Sequence, residues 1–323
     1  MNSSSEIALC GDIGATNARL AILADGVLGS VHWIEVARYA NLVDAINDFL
    51  QARRRDGRAT KALFAVAGPV EGDCCSFTNC SWTIDCREMQ DRFEFQAVRI
   101  INDFEATALS LPHLGKKDIS SLGGGHAVAG APMVVLGPGS GLGVAGLVGD
   151  GPRRMVVASE GGHATLAATS RREDVILDQL RQRFGHVSAE RVLSGPGLEN
   201  LYRAIAAVDE IDVPLRSASE ITQAALQGAC PASRAALDMF CAMLGGFAGN
   251  VALTYGARGG VYIAGGIAPR ILGHLAASEF RSRFVQKGRF QAYLEAIPSQ
   301  VIVHPAATFL GLMALSGTTG SYR

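Results

Sequence analysis

Glu160-Gly161-Gly162-His163 follows directly on an apolar run, Met155 to Ala158, and sets a carboxylate and an imidazole around two glycines. A pair of this kind suits a ligand rich in hydroxyls, which needs directed acceptors and donors. A plain polar turn has the same composition. Asn102-Asp103-Phe104-Glu105 closes a second apolar run, Val98 to Ile101. Asn102 and Glu105 have the spacing of a capping box, and Asp103 suits the helix dipole. The functional alternative puts Asp103 at the carboxyl end of a strand, where α/β proteins bind ligands, ready to take a proton from a substrate hydroxyl. Ser188, with Glu190 two residues on, reads as a helix cap with an acid in the first turn.

Two glycine turns carry a different chemistry. Gly11-Asp12-Ile13-Gly14-Ala15-Thr16-Asn17 sits between two apolar runs, and Gly139-Ser140-Gly141 sits between two more. Glycine lets a backbone approach a ligand closely, and consecutive N–H groups in such turns form anion-binding concavities. Thr16 and Ser140 add hydroxyl donors, and the Asp12 carboxylate is able to hold Mg²⁺ or its water shell. Either turn alone reads as a tight hairpin; the matched pair favours phosphate binding. Gly265-Gly266, ahead of a helix start at Ile267-Ala268-Pro269, suits a purine or phosphate edge, or a simple strand-to-helix turn. Gly141-x-Gly143-x-x-Gly146 fits the dinucleotide pattern, but that pattern needs a helix next, and Leu147 onward continues as strand. A Walker A lysine is absent.

The elements that must hold these groups follow from periodicity. Strand-like runs fall at Ile7–Cys10, Leu20–Leu23, Lys61–Ala67, Val98–Ile101, Met133–Leu136, Gly143–Val148, Met155–Ala158, Val261–Ala264 and Val301–His304. Helical spacing marks Leu42–Leu50, Phe104–Leu109, Glu173–Arg183, Leu198–Ala207, Ser219–Gln227, Ser233–Leu253, Ile271–Ala276 and Thr308–Ser316. This order predicts an α/β architecture with Ser233–Leu253 as a core helix. Met133–Val148 repeats the strand–turn–strand design of Ile7–Leu23, which suggests duplicated domains facing each other across a cleft.

Composition narrows the partners. The chain has 323 residues, a net charge of −1 and 48% hydrophobic residues, so it lacks the basic excess of a nucleic-acid binder and has enough apolar side chains for a core. Arg53-Arg54-Arg55 reads as a solvated helix end. No run of 18 or more apolar residues is evident, and the first residues lack the pattern of a signal peptide, so the expectation is a cytoplasmic protein without a membrane span. The seven cysteines are an odd count that argues against a disulfide framework. Four of them, between Cys74 and Cys86, have neither Cys-x-x-Cys spacing nor a nearby histidine, and read as reduced thiols. Asn79-Cys80-Ser81 matches a glycosylation sequon without significance in that compartment.

Together these segments resemble the bacterial hexokinase-type glucokinases of the actin-like ATPase group, almost end to end. GDIGATNARLA is similar to the family's first phosphate motif, with Ala15 where glycine is usual, and INDFEA to its catalytic segment. GPGSGLGVA is similar to the second phosphate motif, with Pro138 and Ser140 where alanine and threonine are common. EGGHA, HVSAERVLSGPGL and GGVYIAGGIAPR also resemble family wording, the last being the adenosine motif. A related zinc-bearing branch continues its Glu-x-Gly-His with a cysteine-rich motif; here His163 is followed by ATLAATSRRED, so the resemblance implies no structural metal.

The resemblance implies a two-domain α/β fold, actin-like and ribonuclease H-like. Residues 1–112, joined by a C-terminal helix in 305–323, form the smaller domain and 113–304 the larger. It implies ATP-dependent phosphorylation of glucose at the 6-hydroxyl, with Asp103 as base and Asn102, Asp103, Glu160, His163 and Glu190 around the sugar. ATP falls to Gly11, Asp12, Gly14, Ala15, Thr16, Asn17, Gly139, Ser140, Gly141, Gly265 and Gly266, and Mg²⁺ to Asp12 through water. It further implies a homodimer. Rival readings are a kinase for another hexose, a polyphosphate-using enzyme, a sugar-binding regulator without turnover, and a chaperone-like ATPase.

Overall fold

Every residue along Ile7–Ile13 is buried or half-buried, so this strand is covered on both faces. It pairs antiparallel with Asn17–Ala24 and parallel with Lys61–Val66, which in turn pairs parallel with Ala97–Asn102. The computed structural model describes residues 7–53, 57–77, 80 and 82–317, and the backbone of 321–322. Arg54 and Arg55 of the basic run, and Asn79 and Ser81 of the sequon, lie outside the described residues. The chain forms two compact units, Met1–Leu114 with Pro305–Arg323, and Gly115–His304.

In the first unit, Leu9, Ile13, Leu20 and Phe64 line one face of the sheet, under the helix Leu42–Ala52. That helix buries Leu42, Ala45, Ile46 and Phe49, the stripe expected of an amphipathic helix, and Asn41 caps it by accepting the Asp44 N–H. Ala8, Cys10, Ala21 and Leu63 line the opposite face with Ala106, Phe309 and Leu312. These last come from the helices Asp103–Ser110 and Ala307–Leu315.

The second unit repeats the plan. Met133–Pro138 pairs antiparallel with Leu142–Val148 and parallel with Gly260–Ile263, which pairs parallel with Ser299–Ile302. Each sheet is therefore a hairpin whose first strand continues into two parallel strands. The longest helix, Pro231–Tyr255, packs in the core of this unit through Leu237, Phe240, Leu244 and Ala248. At 25 residues and a mean hydropathy of 1.5 it is long and apolar enough to cross a membrane by length and composition alone. Its burial, at 78% of the apolar window, is what a core helix shows.

Several short elements escape periodicity analysis: strands at Val70–Glu71, Cys74–Ser76 and Thr83–Asp85, and the helix Cys86–Phe93. Two or three residues cannot display a period. Cys74 and Cys75 lie on this small sheet, Cys80 between its second and third strands, and Cys86 at the following helix start. Burial pushes the Cys75 and Cys86 thiols up to about 11, which keeps them protonated.

Candidate active site

The register of the first sheet assembles one set of groups. Ile13 lies beside Val66, and Val66 beside Asn102, so the first glycine turn and Asn102-Asp103 emerge at the carboxyl end of parallel strands. Two strand spacings separate them, about 10 Å. The turn is Gly14-Ala15-Thr16, closed by the Gly14 N–H donating to the Asn17 carbonyl at 3.0 Å. Thr16 is exposed, and its carbonyl accepts the Val36 N–H at 3.0 Å.

Asn102 ends its strand and caps the next helix, its Oδ1 accepting the Phe104 N–H at 2.8 Å. Asp103 is thus the first helical residue, half-buried, and its Oδ1 also accepts the Phe104 N–H at 2.9 Å. Burial holds the Glu105 carboxyl above its ordinary value, against the Asn102 N–H it accepts and the charge of Arg99. The expected capping box is half formed: Glu105 accepts the Asn102 N–H, but Asn102 Oδ1 caps Phe104 instead of the Glu105 N–H, and Asp103 is left at the mouth of the helix.

Asp12 is engaged by Arg19, its cross-strand neighbour in the hairpin. Arg19 Nε donates to Asp12 Oδ2 at 3.0 Å and a terminal nitrogen donates to the same oxygen. Its other terminal nitrogen donates to the Pro305 carbonyl at 2.7 Å, and the guanidinium lies over Trp33 and Phe309. Both contacts fall on Oδ2, so Oδ1 remains for a hydrated cation. One carboxylate beside a glycine turn is the kind of donor Mg²⁺ accepts, since that ion keeps several waters and needs few protein ligands. No cluster of three or more metal-ligating side chains occurs among the described residues.

The second unit builds its set the same way. Pro138 pairs with Leu142 around Gly139-Ser140-Gly141, where the Gly139 N–H donates to the Gly141 carbonyl at 2.8 Å. Ala264 donates its N–H to the Leu136 carbonyl at 2.8 Å, which brings Gly265-Gly266 to the same sheet edge. Gly265 has φ +80°, and a Cβ there would overlap the Pro138 carbonyl oxygen, so only glycine fits. Met155–Ser159 pairs with Leu142–Val148 and delivers Glu160 to this edge too. His163 lies 3.9 Å from Glu160 and 4.0 Å from Glu190. Glu190 is fixed from behind: its N–H donates to the Gly162 carbonyl at 2.9 Å, and its Oε2 accepts the Leu142 N–H at 2.8 Å.

Two expectations are corrected. Ser188 caps no helix: its Oγ accepts the Arg191 N–H at 3.3 Å in a turn, and Ser194 caps the helix Gly195–Val208 by accepting the Gly197 N–H. The reason is Pro196, which belongs in a first helical turn and marks the start later in the chain. Ile267-Ala268-Pro269 opens only a short 3₁₀ turn, Ala268–Ile271, before the helix Leu272–Ala277. Gly11 is buried inside its strand, where a Cβ would lie 2.6 Å from the Phe64 ring. Sequence reasoning gives no physical role to Asn17 or Arg19, and the structure supplies one for Arg19. An acid and a base directly opposite across a hairpin centred on Ala15-Thr16 was the available signal.

The family model for Glucokinase matches residues 9–318. A glucokinase of Paramagnetospirillum magneticum is 45% identical over 314 residues, covering 96% of this chain and 98% of its own length. One from Nitrobacter hamburgensis is 41% identical, covering 97% and 98%. Among solved structures, a glucokinase from an Antarctic psychrotroph superposes with a TM-score of 0.87 at 35% identity, covering 97% of this chain and 99% of its own. The glucokinase of Balamuthia mandrillaris, in complex with glucose, superposes at 0.79 with 20% identity, covering 99% and 96%, a likeness of fold. The architecture is that of the actin-like ATPases.

Proposed function

The chain belongs to the glucokinase family, and on that premise we propose that it transfers the γ-phosphoryl group of ATP to the 6-hydroxyl of glucose, with Asp103 as general base. The hydroxyl proton passes to the Asp103 carboxylate as the oxygen bonds to the γ-phosphorus, the bond to the β-phosphate oxygen breaks, and ADP leaves. The observation that carries this reading is the register of the first sheet, which sets Asp103 and the Gly14–Thr16 turn at one strand end.

Asn102, Glu160, His163 and Glu190 supply the remaining contacts to a neutral hexose. A site built of such donors and acceptors rejects analogues that leave them unpaired. The two turns, with Thr16, Ala15, Asn17 and Ser140, and Gly265-Gly266 hold the nucleotide through backbone N–H groups and hydroxyls. Asp12 Oδ1 would hold Mg²⁺ by way of its water shell, and that ion when bound would offset the negative charge of the nucleotide phosphates. Positioning then does most of the catalysis. The same reading makes the enzyme a cytoplasmic homodimer, the dimer to be checked by light scattering.

The test is a coupled assay with ATP, Mg²⁺ and a panel of hexoses, repeated with polyphosphate as donor. Glucose 6-phosphate formed from ATP supports the proposal. Tight glucose binding without turnover would overturn it in favour of a sugar-sensing regulator.

A further inference from the structure

We propose that Glu190 is a two-sided positioning residue that couples sugar binding to nucleotide binding within the second unit; this rests on the kinase reading above. One carboxylate oxygen, Oε2, accepts the Leu142 N–H at 2.8 Å and so fixes the exit of the Gly139-Ser140-Gly141 turn. The other, Oε1, faces His163 Nδ1 at 4.0 Å. The side chain is 31% exposed, open enough to meet a ligand on that second side.

The surrounding backbone makes the link stiff. Glu190 N–H is bound to the Gly162 carbonyl, and the Glu190 carbonyl accepts the Ser194 hydroxyl at 2.8 Å. Gly195 N–H then donates to the Gly139 carbonyl at 2.8 Å. The segment from Glu190 to Gly195 therefore clamps the turn at both its entry and its exit. Gly141 completes the device. A Cβ there would lie 2.5 Å from Glu190 Oε2, while its φ is not in the left-handed region. The glycine in this phosphate turn thus admits the carboxylate, quite apart from any phosphate it meets.

A sugar hydroxyl held by Oε1 restrains the carboxylate, and with it the bond from Oε2 to Leu142. A phosphate held by the turn restrains Leu142, and with it the carboxylate. Such coupling is reciprocal by thermodynamic necessity. Calorimetric titration of glucose and of Mg²⁺ with AMP-PNP, each alone and with the other saturating, reads it directly.

In the wild type each ligand should tighten the other about fivefold or more. Glu190→Ala should weaken AMP-PNP binding about tenfold even without glucose, the loss of one charge-assisted hydrogen bond. Glu190→Gln keeps an oxygen acceptor for Leu142 and should restore AMP-PNP binding while glucose binding stays weak. Gly141→Ala keeps the backbone N–H groups of the turn but pushes the flexible carboxylate off Leu142, so glucose and AMP-PNP binding should both weaken and the linkage vanish. Wild-type AMP-PNP affinity in Glu190→Ala, or wild-type glucose affinity in Gly141→Ala, would overturn the proposal alone. A wild-type protein that binds neither glucose nor AMP-PNP would overturn the kinase reading and this inference with it.

Discussion

Asp103 stands where two demands meet, since the first residue of a helix is favourable for a carboxylate and also the mouth of its strand. Asp103→Asn keeps the volume and most hydrogen bonding but removes the carboxylate proposed as the base. The expected result is a fall in kcat of about 10²–10⁴-fold with glucose binding retained, read by steady-state kinetics beside calorimetry. Near-normal kcat would reduce Asp103 to a helix residue. Arg19 makes a second case at this scale. Its side chain and that of Asp12 are 17% and 16% exposed, so removing one leaves the other's charge poorly solvated. Arg19→Met should cost about 3 kcal/mol in denaturant unfolding. It should also raise the KM for Mg²⁺-ATP more than that for glucose, because Asp12 then loses the anchor on Oδ2. Equal rises in both KM values would count against that role.

At the scale of elements, the helix bearing Asp103 is held by close packing against Ala307–Leu315. A Cβ on Gly311 would overlap the Ala106 carbonyl oxygen, which is backbone and cannot swing aside. Gly311→Ala should therefore force the helices apart, with a stability loss of about 3 kcal/mol and a lowered kcat, since Asp103 opens the displaced helix. Wild-type stability would show that the contact is slack. This packing was illegible in the sequence: Thr308–Ser316 reads as helical, but which glycine touches which carbonyl is a property of two segments distant in the chain. The long elements and the twin hairpins were legible because periodicity and turn composition are local. Glu160, His163 and Asp103 could be picked out by type and by resemblance to a family. Their supports, Arg19 for Asp12 and Leu142 for Glu190, are set by strand register and tertiary pairing. Ser188 misled because two plausible caps, Ser188 and Ser194, lie six residues apart, and only Pro196 distinguishes them.

For the whole molecule, the chain passes between its two units after Leu114 and again after His304. Asp118 fastens the second unit's ends of both passages. Its Oδ2 accepts the Gly115 N–H at 2.8 Å, and its carbonyl accepts the N–H groups of Val303 at 2.8 Å and His304 at 3.2 Å. Burial holds the His304 imidazole below its ordinary value of 6.5, with Asp118 pulling it up and Lys117 pushing it down. His32 shifts the same way, through burial and the charge of Arg53. Each folded imidazole binds a proton less readily than its unfolded counterpart, so the unfolded state takes up protons first as the pH drops. The stability these groups contribute is complete above 6.5 and is lost as the pH falls from there through their lower folded values. Denaturation midpoints measured between about pH 8 and pH 5 should therefore decline toward the acid side, on top of what the carboxylates do at still lower pH. His304→Gln removes the larger burial at the passage and should flatten part of that slope while leaving stability at pH 8 nearly unchanged. An identical slope in the variant would mean that protonating His304 does not load the junction where the two passages meet.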